Sequence, residues 1–122
     1  MRRTNKRKQT GRQGEEIAAR YLIDKGYSLL RRNWRCPVGE LDLVMEVDNT
    51  LVFVEVRTRQ GRRFGRAEES LTPAKQARLV ELAQTYLQEI DAANPSWRID
   101  VIAIQLGPGL PRIKHIENAV GW

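Results

Sequence analysis

The sequence predicts an α/β or α+β domain, a sheet with helices packed against it. Two observations carry this: segments of helical periodicity alternate with short β-branched runs, and the order reads helix, three strands, helix, strand, strand. A third is length, since 122 residues suffice for one apolar core and not for two. Thr10 and Gln13 have the spacing of a capping box. Ile17, Ala18, Tyr21 and Leu22 then recur at helical intervals up to Gly26, predicting a first helix over about residues 11 to 25. Residues 27–34 read as a strand with a basic exit at Arg31, Arg32 and Arg35, and residues 36–39 as a turn.

From Glu40 to Val47 the chain alternates. Leu41, Leu43, Met45 and Val47 share one face, while Glu40, Asp42, Val44 and Glu46 share the other. Asp48 and Asn49 suit a tight hairpin turn, and residues 51–56 are almost wholly apolar, as in a central strand. Residues 60–69 are a polar, arginine-rich connection. Thr72 and Pro73 mark a second helix, capped by Thr72, whose apolar stripe runs from Leu79 to Ile90. Residues 97–104 form a strand that carries Asp100, and a Gly/Pro-rich turn leads to a last short strand over residues 112–116.

Composition excludes several classes. Hydrophobic residues at 41% and charged residues at 30% describe a folded domain rather than a disordered one. No apolar run reaches the roughly 20 residues of a membrane span, and no secretory signal is apparent, so a cytoplasmic location is the expectation. Cys36 is the only cysteine and His115 the only histidine. We read both as structural, the first a thiol in packing and the second a histidine satisfied within its strand. Trp34 and Trp97 fit core packing; with Trp122 they could also stack on bases.

The net charge of +6 is concentrated at the start of the chain. Arg2, Arg3, Lys6, Arg7, Lys8 and Arg12 face no acid in the first twelve positions, leaving 15 basic and 15 acidic residues beyond. Residues 1–10 are therefore expected to be a flexible basic tail before a single domain of residues 11–122. Such an arm attracts polyanions by counterion release, although a solubility tail or a membrane-surface contact would look the same.

The chemistry concentrates on the hairpin. If Asp48 and Asn49 are the two loop residues, Val47 pairs with Thr50. Asp42 then stands opposite Glu55 on one side of the sheet, and Glu40 opposite Arg57. Opposed carboxylates repel unless compensated, and a hard divalent cation compensates them. The alternative is that both acids form salt bridges, for example Glu55 to an arginine. A three-residue loop would reverse the facing. Arg57, Arg59, Arg62, Arg63 and Arg66 follow Glu55 closely, a basic stretch suited to phosphate-backbone contact without sequence readout. Arg12 joins them as an expected nucleic-acid contact.

The segments Gly39-Glu40-Leu41-Asp42-Leu43 and Val52-Phe53-Val54-Glu55-Val56-Arg57 resemble the PD-(D/E)xK superfamily of restriction-endonuclease-like nucleases. With Gly11-Arg12-Gln13-Gly14-Glu15, Asn33-Trp34, Lys75-Gln76, Ile99-Asp100-Val101 and His115-Ile116-Glu117-Asn118-Ala119, the chain more closely resembles the YraN-like family over residues 11–120. That family is similar to Holliday-junction resolvases. The resemblance implies an α/β fold with a restriction-endonuclease-like core, a mixed central sheet flanked by two helices in α-β-β-β-α-β-β order. It implies a Mg²⁺- (or Mn²⁺-) dependent endonuclease acting on DNA, at branched or repair intermediates, and a homodimer. Asp42 and Glu55 match the metal-binding pair, and Glu15, with Glu16 as the adjacent alternative, matches the acid of the first helix. The superfamily lysine falls at Arg57, a departure, because arginine stays protonated and cannot act as a base. Lys75 and Gln76 are the expected substitutes, with a solvated helix residue as the plain alternative for Lys75. The departure leaves two rival readings open. One is a catalytically inactive nucleic-acid-binding protein with a nuclease-like fold. The other is an adaptor whose basic tail meets an acidic protein.

Overall fold

The computed structural model describes residues 8–61, 71–93 and 95–120 in full and residues 2–7 as backbone. Its elements are α1 (Arg2–Asp24), β1 (Ser28–Cys36), β2 (Gly39–Val47), β3 (Thr50–Gln60), α2 (Pro73–Glu89), β4 (Ser96–Leu106) and β5 (Arg112–Ile116). The strands form one mixed sheet in the order β1-β2-β3-β4-β5. Only β3 and β4 are parallel, joined by the crossover through α2; the other neighbours run antiparallel.

The sheet lies between the two helices. On one face, Ala18, Ala19 and Leu22 of α1 pack on Leu43, Met45, Val52, Val54, Ile102 and Ile104. On the other, Leu79, Leu82, Ala83 and Tyr86 of α2 pack on Trp34, Leu41, Val44, Phe53, Ile99 and Val101. Strands β3 and β4 are covered on both faces, so they read as continuous apolar runs rather than as alternations. Trp34 is buried edge-on against Tyr86 and Trp97 packs on Phe53, as their core reading required.

Helix α1 begins at Arg2, not near residue 11. Residues 2–10, expected to be a flexible tail, are helical, and Thr10 lies inside the helix rather than capping it. No proline or glycine interrupts the chain before Gly11, and Arg, Lys and Gln are good helix formers. The helix ends at Gly26, whose φ of 99° lets Tyr27 N–H return to Leu22 O at 2.9 Å. At the other helix, Thr72 is the N-cap as expected, accepting Lys75 N–H at 3.2 Å, with Pro73 in the first turn. Asp48 and Asn49, with φ of 50° and 62°, form the two-residue hairpin turn and set Val47 against Thr50. No helix among the described residues is long and apolar enough to cross a membrane.

One expectation fails inside β2. Leu41 does not share a face with Leu43 and Met45: it packs on the α2 side while they pack on the α1 side. The alternation changes phase at Asp42. The strand opposite changes at the same level, where Asn33 of β1 has a left-handed φ of 49°. Flanking pairs Arg32–Leu43 and Trp34–Leu41 bring Asn33 opposite Asp42, so both strands turn over together.

Candidate metal centre

The β2–β3 ladder runs from Val47–Thr50 to Leu43–Val54 and stops there, one pair before Asp42 and Glu55. The expected register is correct, but the strands part where the acids meet. In the gap, Val56 N–H donates to Asp42 Oδ2 at 2.8 Å instead of to a ladder carbonyl. The phase change turns Asp42 into a cavity of about 380 Å³ on the α1 side, lined by Thr10, Gly11, Glu15, Asp42, Val56, Thr58 and Gln60. Glu55 keeps its phase and lines a cavity of about 410 Å³ on the α2 side, with Glu40, Arg57, Lys75 and Arg78. The two acids therefore do not lie side by side on one face, as the alternation had suggested. They approach each other through the opening, closely enough for the charge of Glu55 to raise the Asp42 carboxyl.

Glu15 reaches this point because α1 sits unusually close to β3. A Cβ on Gly14 would lie 1.8 Å from Thr58 Oγ1, so only glycine permits the contact. One carboxylate oxygen from each of Glu15, Glu40 and Asp42 then falls within 4.8 Å of the others. The neighbouring Glu16 points elsewhere, paired with Arg32 at 2.6 Å, which leaves Glu15 as the helix's contribution. The Asp42 carboxyl is pushed up to about 8. Burial is the main cause, followed by the charge of Glu55; the Val56 N–H opposes the rise, while a hydrogen bond to Glu55 and the charge of Glu15 add to it. An oxygen-only set of carboxylates crowded this closely fits a hard divalent cation such as Mg²⁺ or Mn²⁺.

The other expected residues divide. Arg57 Nε lies 3.4 Å from Glu55 Oε2, so Glu55 has the arginine partner that the salt-bridge alternative required. Glu40 is not paired across the hairpin with Arg57; it accepts Arg35 Nε at 2.6 Å and Asn33 Nδ2 at 3.3 Å from β1. Lys75 is exposed at the rim of the α2-side cavity, together with Arg78, which the sequence reading missed. Gln76 turns away from the carboxylates and donates to Leu71 O at 3.0 Å, closing the start of α2. Arg12 and Arg59 are exposed, whereas Arg62, Arg63 and Arg66 lie outside the described residues. Glu40 and Asn33 were also missed as site residues. Nothing in a period-two pattern marks a left-handed residue within a strand.

A second polar cluster lies at the far edge. Asp100 is fully buried and accepts His115 Nε2 at 2.7 Å, Arg98 Nε at 3.0 Å and Asn118 N–H at 3.0 Å. Burial alone would raise this carboxyl, but the hydrogen bonds from His115 and Arg98 outweigh it and hold it below the usual range. Lys25 Nζ lies 2.9 Å from His115 Nδ1, so the ring is oriented from both sides. With Arg98 already occupying Asp100, this cluster ties β4, β5 and the C-terminal segment together, in keeping with a structural histidine.

The same chain segments recur in other proteins. A UPF0102 protein of Roseiflexus castenholzii is 50% identical over 120 residues, covering 96% of this chain and 97% of the relative. One from Herpetosiphon aurantiacus is 49% identical over 115 residues, 91% and 93% of the two chains. One from Syntrophomonas wolfei is 46% identical over 112 residues, 92% and 97%. A family model described as "Uncharacterised protein family UPF0102" matches residues 14–104, the span that holds Glu15, Asp42, Glu55 and Lys75, and the chain belongs to that family.

Proposed function

We propose that the protein is a divalent-metal-dependent endonuclease that hydrolyses DNA phosphodiester bonds, with Glu15, Asp42 and Glu55 as the metal-holding carboxylates and Glu40 as a fourth beside them. The observation that carries this reading is the convergence of Glu15, Glu40 and Asp42, with carboxylate oxygens within 4.8 Å of one another, beside Glu55 in a gap where the β-ladder stops. A fold does not open a hairpin and crowd acids into it without a return, and cation binding is the return that this donor set offers. A bound Mg²⁺ or Mn²⁺ would polarise a phosphate oxygen and lower the pKa of a coordinated water.

The remaining roles belong to the chain itself. Lys75, Arg78 and Arg57 border the α2-side cavity near the start of α2, where amide groups and cations together favour a phosphate. Arg57 cannot act as a base; it orients Glu55 and contributes charge. Exposed Arg12 and Arg59 would engage the backbone of the strand nonspecifically. The test is incubation of linear, flapped and four-way DNA with the protein in Mg²⁺ or Mn²⁺. Cleavage that disappears in Asp42→Ala is expected, and metal binding without cleavage of any of the three would remove the catalytic claim.

The Arg57–Glu55 contact favours one alternative, a non-catalytic nucleic-acid-binding protein of the same fold. In that case wild-type protein binds DNA without cutting it, and Arg57→Lys restores cleavage. A homodimer, the arrangement that would present two such sites to a branched substrate, is a further part of the proposal. Light scattering of the purified protein checks it.

A further inference from the structure

We propose that Asn33 is a positioning residue for the carboxylate centre, setting the spacing of Glu15 and Glu40 beside Asp42 through its side-chain amide. The inference rests on the metal-site reading of those acids. Among the described residues, the other non-glycine positions with positive φ are Asp48, Asn49, Asp91 and Asn118, all in turns; Asn33 alone has this conformation within a strand. A left-handed residue in a ladder is unfavourable, and it persists where surrounding structure enforces it. Here it stands opposite Asp42, at the level where β2 also changes phase.

From that position the Asn33 amide nitrogen donates to Glu15 Oε1 at 3.0 Å and to Glu40 Oε1 at 3.3 Å. Its two hydrogens are divided between acids from different elements, α1 and β2. The orientation follows from chemistry, because ionised carboxylates only accept, and the amide oxygen in that place would face two acceptors. A neutral double donor holds two like charges close without cancelling them, and so keeps their remaining lone pairs for a cation. An arginine or lysine at the same point would compete with the metal instead. Partners of this kind orient metal ligands, and their loss typically lowers metal affinity by about 10- to 100-fold.

Two variants separate the amide from the backbone. Asn33→Gly keeps the left-handed conformation and deletes the donor, whereas Asn33→Asp keeps shape and tolerance but replaces both donors with another carboxylate. The readouts are Mn²⁺ affinity, by electron paramagnetic resonance titration, and melting temperature in EDTA at pH 8. Asn33→Gly is expected to weaken Mn²⁺ binding by about 10- to 100-fold. Asn33→Asp is expected to melt lower than wild type in EDTA and to recover most of the loss at saturating Mn²⁺. Should Asn33→Gly bind Mn²⁺ as wild type does, with only its melting temperature altered, Asn33 is a structural residue and the proposal is wrong. Failure of Asn33→Asp to recover in Mn²⁺ would equally count against it. Wild-type protein that takes up no Mn²⁺ would instead overturn the metal-site reading itself, and this inference with it.

Discussion

Replacing Asp42 by asparagine should make the metal-free protein more stable at pH 8 while abolishing its response to metal. Asparagine keeps an oxygen for Val56 N–H, at 2.8 Å in the native chain, and an N–H₂ that can donate to Glu55, but it carries no charge. The Asp42 carboxyl is raised from 3.8 to about 8, so the folded state holds a proton that the unfolded state has released. Wild-type stability therefore falls as pH climbs from about 4 to about 8, and the whole penalty is present above that range. At about 1.4 kcal/mol per pH unit the ceiling is roughly 6 kcal/mol. A half-buried group coupled to Glu55 is screened by solvent, and a net gain of roughly 1–3 kcal/mol for Asp42→Asn is the reasonable expectation. For a domain of this size that is a rise in melting temperature of roughly 4–12 °C. Thermal denaturation in EDTA at pH 8 and pH 5 measures it. The gain should be much smaller at pH 5, where the folded carboxyl keeps its proton and only about one of the roughly four pH units of penalty has accrued, and should vanish only below about pH 4. Added Mg²⁺ or Mn²⁺ should then stabilise wild type, by about 2.7 kcal/mol at a hundredfold excess over Kd, and leave Asp42→Asn unchanged. Destabilisation by Asp42→Asn at pH 8 without metal would refute the reasoning, because the carboxylate would then be stabilising the fold on its own.

Gly14→Ala should destabilise the protein by about 1–3 kcal/mol through overpacking, since the new methyl meets Thr58 Oγ1 at 1.8 Å and α1 must lift off β3. Because that lift also carries Glu15 away from Asp42, Mn²⁺ affinity should fall, and adding Thr58→Ala should restore part of both in urea denaturation and metal titration. Asp100→Asn should cost about 1–3 kcal/mol, because a fully buried carboxylate that accepts from His115, Arg98 and Asn118 N–H gives way to an amide that cannot accept all three, while Arg98 keeps Glu117 as an acidic partner. The stabilisation from Asp100 is present above its unfolded value of 3.8 and is lost as pH falls through its lower folded value, so an acid titration should show the variant converging on wild type at the low end.

Much of the fold was legible because its signals are local. Thr72 with Pro73 fixed the start of α2, Gly26 fixed the end of α1, and Asp48-Asn49 fixed the hairpin and hence the register up to Leu43–Val54. What escaped was long-range. The phase change at Asp42 depends on a backbone inversion at Asn33 in a neighbouring strand, and no pattern within residues 40–47 reports it. Two acids assigned to one face therefore line opposite cavities and meet only through the gap between strands. The early start of α1 was hidden for a different reason: a run of cations reads equally as a solvated tail or as a helix, and composition does not distinguish them. The family resemblance directed attention to Glu15, Asp42 and Glu55, whereas Glu40, Asn33 and Arg78 emerged only from the packing of β1 and α2 around them.

Anomalous diffraction from a crystal soaked in Mn²⁺ bears most directly on the site. A single strong peak within coordination distance of Asp42 and at least one of Glu15, Glu40 and Glu55 is expected, with Arg57 still on Glu55. Full Mn²⁺ in the soak with no peak near Asp42, its carboxyl still on Val56 N–H beside Glu55, would mean that the opened hairpin holds a proton and not a metal.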